Sequence, residues 1–487
     1  MTEAVAIEKR VGLAYWMQDV LVQCDKAAGE FASDPVHDLR TALRRCRSMA
    51  GGIRAFDPDP AWKKMKRAGK TLFSSLGSLR DAQIMEQWVK HLAPERDTGG
   101  ERLLDFLANQ EPALKKAANM ALQQFDRKRW QSWADELPSR VARIPLDSPI
   151  FGHLALERWH EGYDLHRRAL RNRTKIAFHD LRIGVKHFRY TVENFLPGLY
   201  DGWCKDLKEL QELLGDVHDL DVLWQTAATT NAFPDSDSRA WWRSRIEQQR
   251  QQRLETYRER MVGRNSLWLI WRSQLPGQER LRSLGLERLQ TWASFLDASD
   301  AHARHVADLA LQLYDGLPLE GILRGARRET CRHVLQAASL MHHVGRSRTN
   351  AGHHKISARL IRKLGPPLGW TGEEIRMTAL VARYHRGALP RETQKRFAAL
   401  AQSKQRLVQF LAGVLRLACA CDSQQDGQIR RIQVEGSGPM LTIRAEGYIR
   451  YSSLAEHLAA ARHLLELACQ RPVLIQPLEL SHEAHAA

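Results

Sequence analysis

Val36-His37-Asp38-Leu39-Arg40 returns as Phe178-His179-Asp180-Leu181-Arg182, and these two stretches decide how the chain folds. The likeness continues past the pentapeptides. Apolar residues stand at 36, 39, 43 and 46 in the first copy and at 178, 181, 185 and 188 in the second, the three-and-four spacing of a helix that buries one face. One position further along runs a cationic stripe: His37, Arg40, Arg44 and Arg47, matched by His179, Arg182, Lys186 and Arg189. Consecutive residues lie about 100° apart around a helix, so the cations sit beside the buried face and line the edge of a bundle core.

A second matched set follows each copy. Arg67 and Lys70, then Lys205 and Lys208, each lead into a leucine-rich turn, Leu76-Gly77-Ser78-Leu79-Arg80-Asp81 and Leu214-Gly215-Asp216-Val217-His218-Asp219. The chain therefore contains an internal duplication with a period of about 140 residues. A single exposed Arg or Lys usually marks only a solvated face and contributes little. Packing must preserve the apolar stripe of a duplicated helix, but nothing in packing requires the neighbouring positions to stay charged in both copies. Taken as a set, the cations predict an anion-binding groove.

The His-Asp-Leu-Arg starts, the Arg and Lys after them and the Leu-Gly-x-x-x-Asp element of each half resemble the CHAD domain, the conserved histidine α-helical domain, over roughly residues 5–265. The resemblance implies a pseudo-symmetric, all-helical domain whose basic central groove or pore binds inorganic polyphosphate. It maps the family's functional positions onto His37, Arg40, Arg44, Arg47, His179, Arg182, Lys186 and Arg189, with Arg67, Lys70, Lys205 and Lys208 on the next helices.

The 487 residues suffice for two or three domains, each with its own core. Lys and Arg number 73 against 56 Asp and Glu, a formal charge of +17, and such a field concentrates and steers polyanions. Charge alone leaves nucleic acid, acidic lipid and polyphosphate open. Seven scattered cysteines fit a reducing compartment better than a disulfide framework. The start, Met1-Thr2-Glu3-Ala4-Val5, lacks the basic region and apolar run of a signal peptide. The densest apolar cluster, Leu267-Trp268-Leu269-Ile270-Trp271, is far too short for a bilayer, so the expectation is a cytoplasmic protein without a membrane span.

Taken in order, the chain reads as mainly α. A helix over 8–28 precedes Ser33-Asp34-Pro35, which caps the first striped helix; Asp57-Pro58-Asp59-Pro60 makes a turn; Pro138, Pro145 and Pro149 mark the seam between the halves; and the second striped helix begins at Thr174. A break at 232–236 leads to a charged helix over 239–260. The expected organisation is a CHAD-like domain over 1–265 with halves at 1–145 and 146–265, a junction at 266–290, a second, histidine-bearing helical domain at 291–425 and a small α+β segment at 426–487. In that last segment, strands at 428–434 and 440–444 flank the turn Gly436-Ser437-Gly438-Pro439, and a helix over 453–470 precedes a strand at 473–475.

The region 291–425 carries the second constellation: His302 and His305, the pair His342-His343, the pair His353-His354, and His385. Clustered histidines on separate helices suit a divalent transition metal, since neutral imidazole is a ligand for such ions. Single histidines of this kind also cap helices or hydrogen-bond in cores. His302-Ala303-Arg304, the run from Ala338 through His342-His343-Val344-Gly345, His353-His354-Lys355-Ile356-Ser357-Ala358, Arg383-Tyr384-His385-Arg386 and Leu411-Ala412-Gly413-Val414-Leu415-Arg416-Leu417-Ala418 resemble the C-terminal HD-like domain of exopolyphosphatases, over about 295–425. In working HD phosphohydrolases two of these positions are aspartates. Here they are His343 and Cys419, with Asp422 nearby, which argues against a working metallohydrolase. The metal-site candidates are His302, His342, His343, His353, His354 and His385, with no cofactor required. No Walker-type loop and no Glu-x-Glu-x-Lys signature of the triphosphate tunnel enzymes is present.

These observations predict a polyphosphate-binding protein with a non-catalytic HD-like domain. Three alternatives stand beside it: a metal-dependent phosphohydrolase of polyphosphate or phosphorylated nucleotides, a nucleic-acid binder, and a scaffold that joins polyphosphate granules to a protein partner. The 14 tryptophans fall at core-like positions rather than in a base-stacking platform, which disfavours nucleic acid.

Overall fold

The two copies of the striped stretch build helices of equal length. The first half contributes α1 (Leu13–Ala27), α2 (Ser33–Ile53), α3 (Pro60–Leu92), α4 (Thr98–Gln123) and α5 (Arg127–Val141). The second contributes α6 (Pro149–Asn172), α7 (Lys175–Phe195), α8 (Pro197–Thr229), α9 (Ser236–Met261) and α10 (Leu267–Ser273). Helices α2 and α7 have 21 residues each, α3 and α8 33 each, and α4 and α9 26 each. The computed structural model describes residues 12–28, 31–230, 232–297, 300–320, 322, 327–436 and 438–478. The first residues of the helix expected over 8–28, and Ser437 of the expected turn, lie outside them.

The apolar stripes are the core. Val36, Leu39, Leu43 and Cys46 are fully buried, as are Leu181, Val185 and Phe188, and Phe178 is 4% exposed. Each such side chain contributes about 1.5–3 kcal/mol on burial. Helix α2 packs on α1 and α3, α7 packs on α6 and α8, and the halves meet where α2 touches α7 and α3 touches α8. Equivalent helices therefore face each other across a pseudo-twofold, which sets the two cationic stripes side by side.

Local chemistry fixes several boundaries. Asp59 accepts from Ala61 N at 2.8 Å with Pro60 in the first turn of α3, and Thr174 accepts from Ala177 N at 3.2 Å to start α7. The cap expected at Ser33 is not formed. Ser33 lies inside α2, and its hydroxyl accepts from Arg80 Nη1 at 2.6 Å, a charged donor that outcompetes the backbone N–H. Pro138, expected in the seam, sits within the last turn of α5.

The chain divides into two compact units, Met1–Gly277 and Gln278–Ala487. Helix α10 belongs to the first, where Trp268 and Trp271 are fully buried. The second unit comprises α11 (Leu281–Ser294), α12 (Asp300–Gly316), α13 (Arg328–Met341), α14 (His353–Ile361), α15 (Gly372–Tyr384), α16 (Lys395–Ala398), α17 (Gln402–Cys421), β1 (Ile432–Glu435), β2 (Leu441–Ala445), α18 (Ser453–Ala461), α19 (His463–Cys469) and β3 (Val473–Pro477). The sheet order is β1-β2-β3, with β1 antiparallel and β3 parallel to β2. The fold is thus mainly α, with one small sheet near the C-terminus. Strand β1 is shorter than expected because Ile429 O faces His305 Nε2 at 2.9 Å and Ile432 N donates to Gln312 at 2.7 Å, both on α12. The helix expected over 453–470 is two, α18 and α19. One hydrophobic core runs from Leu286 on α11 to Val473 on β3, so the terminal strands close the same core as the helices.

Candidate functional site

In the first unit, Arg40 and Arg44 of α2 share one electrostatic neighbourhood with Arg182 and Lys186 of α7. Arg40 is held below the ordinary guanidinium range by burial first, and then by Arg44, Arg80 and Arg182 against the pull of Asp81. Arg182 is lowered by burial and by Arg44, against Asp219 and Asp81. Lys186 is pushed down to about 7 by burial, then by Arg182, Arg44 and Arg40. Among the described residues none of the four makes a salt bridge, although ion pairs form elsewhere in the same helices. The Nε atoms of Arg44 and Arg182 are buried without a hydrogen-bond partner.

The stripes are positioned differently in the two halves. Arg40 Nη1 donates to Phe73 O at 3.3 Å, and its guanidinium lies 4.9 Å from the Phe73 ring centroid. A Cβ on Gly77 would sit 2.7 Å from that same Nη1, so the glycine makes room for Arg40. Arg47 lies over the Phe73 ring at 4.8 Å and reaches toward Gly69 O. Its counterpart Arg189 is instead paired with Glu193 at 3.5 Å, a carboxylate that also takes Arg45 and the Tyr200 hydroxyl, each at 2.6 Å. His37 and His179 are exposed near the start of each stripe, and the His179 ring stands 5.0 Å from His218. Arg67, Lys70, Lys205 and Lys208 are exposed on α3 and α8 and are not among the cations that shift Arg40, Arg182 and Lys186.

Two carboxylates join this cluster without having been given a role from sequence. Asp81 is raised by burial against Arg40, Arg182, Lys186 and Arg80, and Asp219 is raised to about 6 by burial, held back by Arg182. Both end the duplicated Leu-Gly-x-x-x-Asp element, so their symmetry was the signal. Lys66, lowered by burial and by Arg47, Arg54 and Arg158, extends the cationic surface beyond Arg47. It has no counterpart in the second half, where Cys204 stands, and no repeat could have pointed to it.

The second unit gathers histidines at helix ends. His342 follows the last turn of α13, His385 that of α15, His353 opens α14, and His302 lies in the first turn of α12. The Ser357 hydroxyl donates to His342 O at 2.7 Å and accepts from Gly345 N at 2.8 Å. A Cβ on Gly345 would lie 2.2 Å from His353 O, so only glycine lets α14 come this close. The result is a set of rings whose centroids are 3.7 Å apart for His342 and His343, 5.0 Å for His343 and His353, 5.5 Å for His353 and His385, and 5.0 Å for His302 and His343. The His354 ring lies 5.8 Å from His353 and 6.2 Å from His385 but joins none of the candidate ligand sets.

The tautomers follow from the acceptors. Nδ1 of His342, His353 and His385 donates to the carbonyls of Ser339 at 2.5 Å, Asn350 at 3.1 Å and Ala382 at 2.8 Å. His302 Nδ1 donates to Asp422 at 2.6 Å. Burial above all keeps His342, His343, His353 and His385 neutral; His342 is lowered to about 3. The Nε2 atoms of His342, His353 and His385 and Nδ1 of His343 are buried with no hydrogen-bond partner. Each such group leaves about 1–3 kcal/mol of hydrogen-bonding potential unused. Three overlapping sets place their candidate ligand atoms within 4.8 Å of one another: His302, His342 and His343; His342, His385 and Cys419; His343, His353 and His385. A carboxylate does border the site, because Asp422 is buried against His302 and Asp297 acts on His353. Neither occupies the motif positions of the missing aspartates; the sequence offers Asp422 only as a nearby carboxylate, and Asp297 carries no motif signal.

Residues 18–228 match the CHAD domain family, and residues 282–455 match the Ppx/GppA phosphatase, domain III family. The first match covers both cationic stripes, and the second covers the whole histidine cluster and Asp422. No curated protein matches the chain. No helix among the described residues is long and apolar enough to cross a membrane, and all seven cysteines are free.

Proposed function

We propose that the first unit binds inorganic polyphosphate at the cation cluster shared by its two halves. The carrying observation is that Arg40, Arg182 and Lys186 are each lowered by burial and by cations of the cluster, Arg44 among them, drawn from both halves, with no salt bridge to any of the four among the described residues. Asp81 and Asp219 offset only part of this charge, and packed like charges are costly unless a further counter-charge arrives. Arginine offers planar forks to phosphate oxygens and lysine a mobile point charge, so a mixed row follows a flexible phosphate chain without strict register. Both family matches fit a polyphosphate-related function. A single-stranded nucleic acid is less well served, because Trp62, Trp130, Trp242, Trp268 and Trp271 are fully buried and Trp241 alone of the 14 tryptophans is exposed, which is too few for a stacking platform. The localisation that follows is the cytoplasm, with polyphosphate granules as the site of enrichment.

The test is titration of the full chain with long-chain polyphosphate at low and high salt, comparing wild type with Arg40→Ala/Arg182→Ala, and with single-stranded DNA at matched phosphate concentration. Orthophosphate release is assayed in the same samples with and without manganese. Salt-sensitive binding that the double substitution removes, with no phosphate released, is the expected result. Binding unaffected by the double substitution would place the polyanion elsewhere.

A further inference from the structure

We infer that the second unit holds a divalent transition-metal ion of the zinc class on His343, His353 and His385, with a coordination position left open toward a cavity that takes a phosphate-class oxyanion. These three residues form the one set in which every member contributes a buried ring nitrogen without a hydrogen-bond partner. Two of them, His353 and His385, already spend their other ring nitrogen on a backbone carbonyl, the arrangement that fixes tautomer and orientation in metal-bound histidines. His342 is oriented in the same way beside them, and His302 is held by Asp422. A core histidine that served packing alone would need an acceptor or donor for its second nitrogen, and here four such nitrogens converge with none. A metal cation supplies the missing partner for several at once. Neutral imidazole suits zinc, nickel, iron and copper rather than magnesium or calcium.

The open position follows from what surrounds the set. His343 and His385 line a cavity of about 440 Å³ together with Arg346, Arg386 and Arg416. Arg346 lines this cavity and acts electrostatically on His342, His343 and His353. Three protein ligands and a fourth position facing solvent is how zinc is held where it meets an exogenous ligand. Arginines beside that position select an anion with several oxygens, and phosphate or a short phosphate chain fits both partners. Arg416 is engaged by Tyr384 O and Gly387 O and serves to hold the loop after His385, which leaves Arg346 and Arg386 as the anion-facing pair.

The experiment uses the tag-free full chain, equilibrated with Zn²⁺ and separately with Mn²⁺, then freed of excess metal and measured by elemental analysis. About one equivalent of zinc is expected, with a rise in melting temperature. His353→Gln and His385→Gln are expected to weaken zinc binding by at least the roughly 10- to 100-fold that even an outer-shell loss costs, while the exposed His91→Ala in the first unit leaves it unchanged. Because a ligand variant can simply misfold, the wild-type chain is also loaded with Co²⁺, whose visible ligand-field bands report imidazole coordination directly. Inorganic phosphate and triphosphate should shift those bands in wild type and not in Arg346→Ala. Absence of zinc and of cobalt bands in the folded wild type overturns the metal site. Bands that phosphate and triphosphate leave untouched overturn the oxyanion half of the inference.

Discussion

The two units carry opposite chemical deficits. Around Arg40 and Arg182 the Nε donors of Arg44 and Arg182 are buried without acceptors and the cations outnumber the carboxylates Asp81 and Asp219, whereas around His343 and His385 there are buried acceptors without donors. The first calls for an anion and the second for a cation. Duplication explains the contrast. A cationic stripe can be doubled by copying a helix, and a pseudo-twofold then brings the copies together at no further cost in sequence. The histidine cluster draws one or two residues from each of several unrelated helix ends and cannot arise by copying any of them.

The largest expected effect separates the two deficits. Arg40→Ala/Arg182→Ala should cost about 3–6 kcal/mol of polyphosphate binding, at about 1.5–3 kcal/mol for each hydrogen bond to a charged group. Calorimetric titration checks this, and His385→Gln should leave the same titration unchanged. The converse is Gly345→Ala. A Cβ 2.2 Å from His353 O and 2.6 Å from Ser357 N meets backbone, which has little room to yield. A loss of about 1–3 kcal/mol is expected, as for other overpacked sites, and calorimetry should show it in the unfolding of the second unit with polyphosphate affinity intact. Equal loss in both readouts would mean that the units do not act separately.

A smaller effect is the pH dependence of polyphosphate binding. Lys186 loses its charge as pH rises through about 7, and Asp219 loses its charge as pH falls through about 6. Between pH 8 and pH 5.5 the cluster therefore gains positive charge twice, and affinity should rise on acidification. Each charge at about 4 Å contributes about 1 kcal/mol in the aqueous limit, roughly fivefold. Lys186→Met should flatten the upper part of the profile and Asp219→Asn the lower part. An affinity that falls with acid would mean that these groups do not face the polyanion.

How much of this could be read from the chain differs between the units for the same reason that their deficits differ. The first unit's helices, their stripes and their equal lengths were written twice, so periodicity sufficed, and Asp81 and Asp219 were visible as a repeated pair. Lys66 was not, because nothing repeats it. In the second unit the histidines were found by their residue type, but their convergence rests on Ser357 bridging His342 and Gly345, a contact with no sequence periodicity. The missed cap at Ser33 has a similar origin. A local rule lost to Arg80, which lies 47 residues away in sequence.

The smallest expected effect tests whether the two halves are equivalent in use. Gly77 and Gly215 occupy the same place in the repeated element, yet a Cβ at 77 would lie 2.7 Å from Arg40 Nη1, whereas a Cβ at 215 would meet nothing within 4 Å. Replacing a helical glycine by alanine normally stabilises by about 0.5–1 kcal/mol. Gly215→Ala should show that gain in full by denaturant titration, with polyphosphate affinity unchanged. Gly77→Ala should show the same backbone gain, because the atom it displaces is the mobile end of a side chain. Arg40 would nevertheless be pushed off Phe73 O, and a net hydrogen bond of about 0.5–1.5 kcal/mol that orients it would be lost. Affinity should therefore fall a few-fold in Gly77→Ala alone. If the two variants bind alike, the clamp on Arg40 serves only the fold, and the asymmetry between the halves has no bearing on the polyanion.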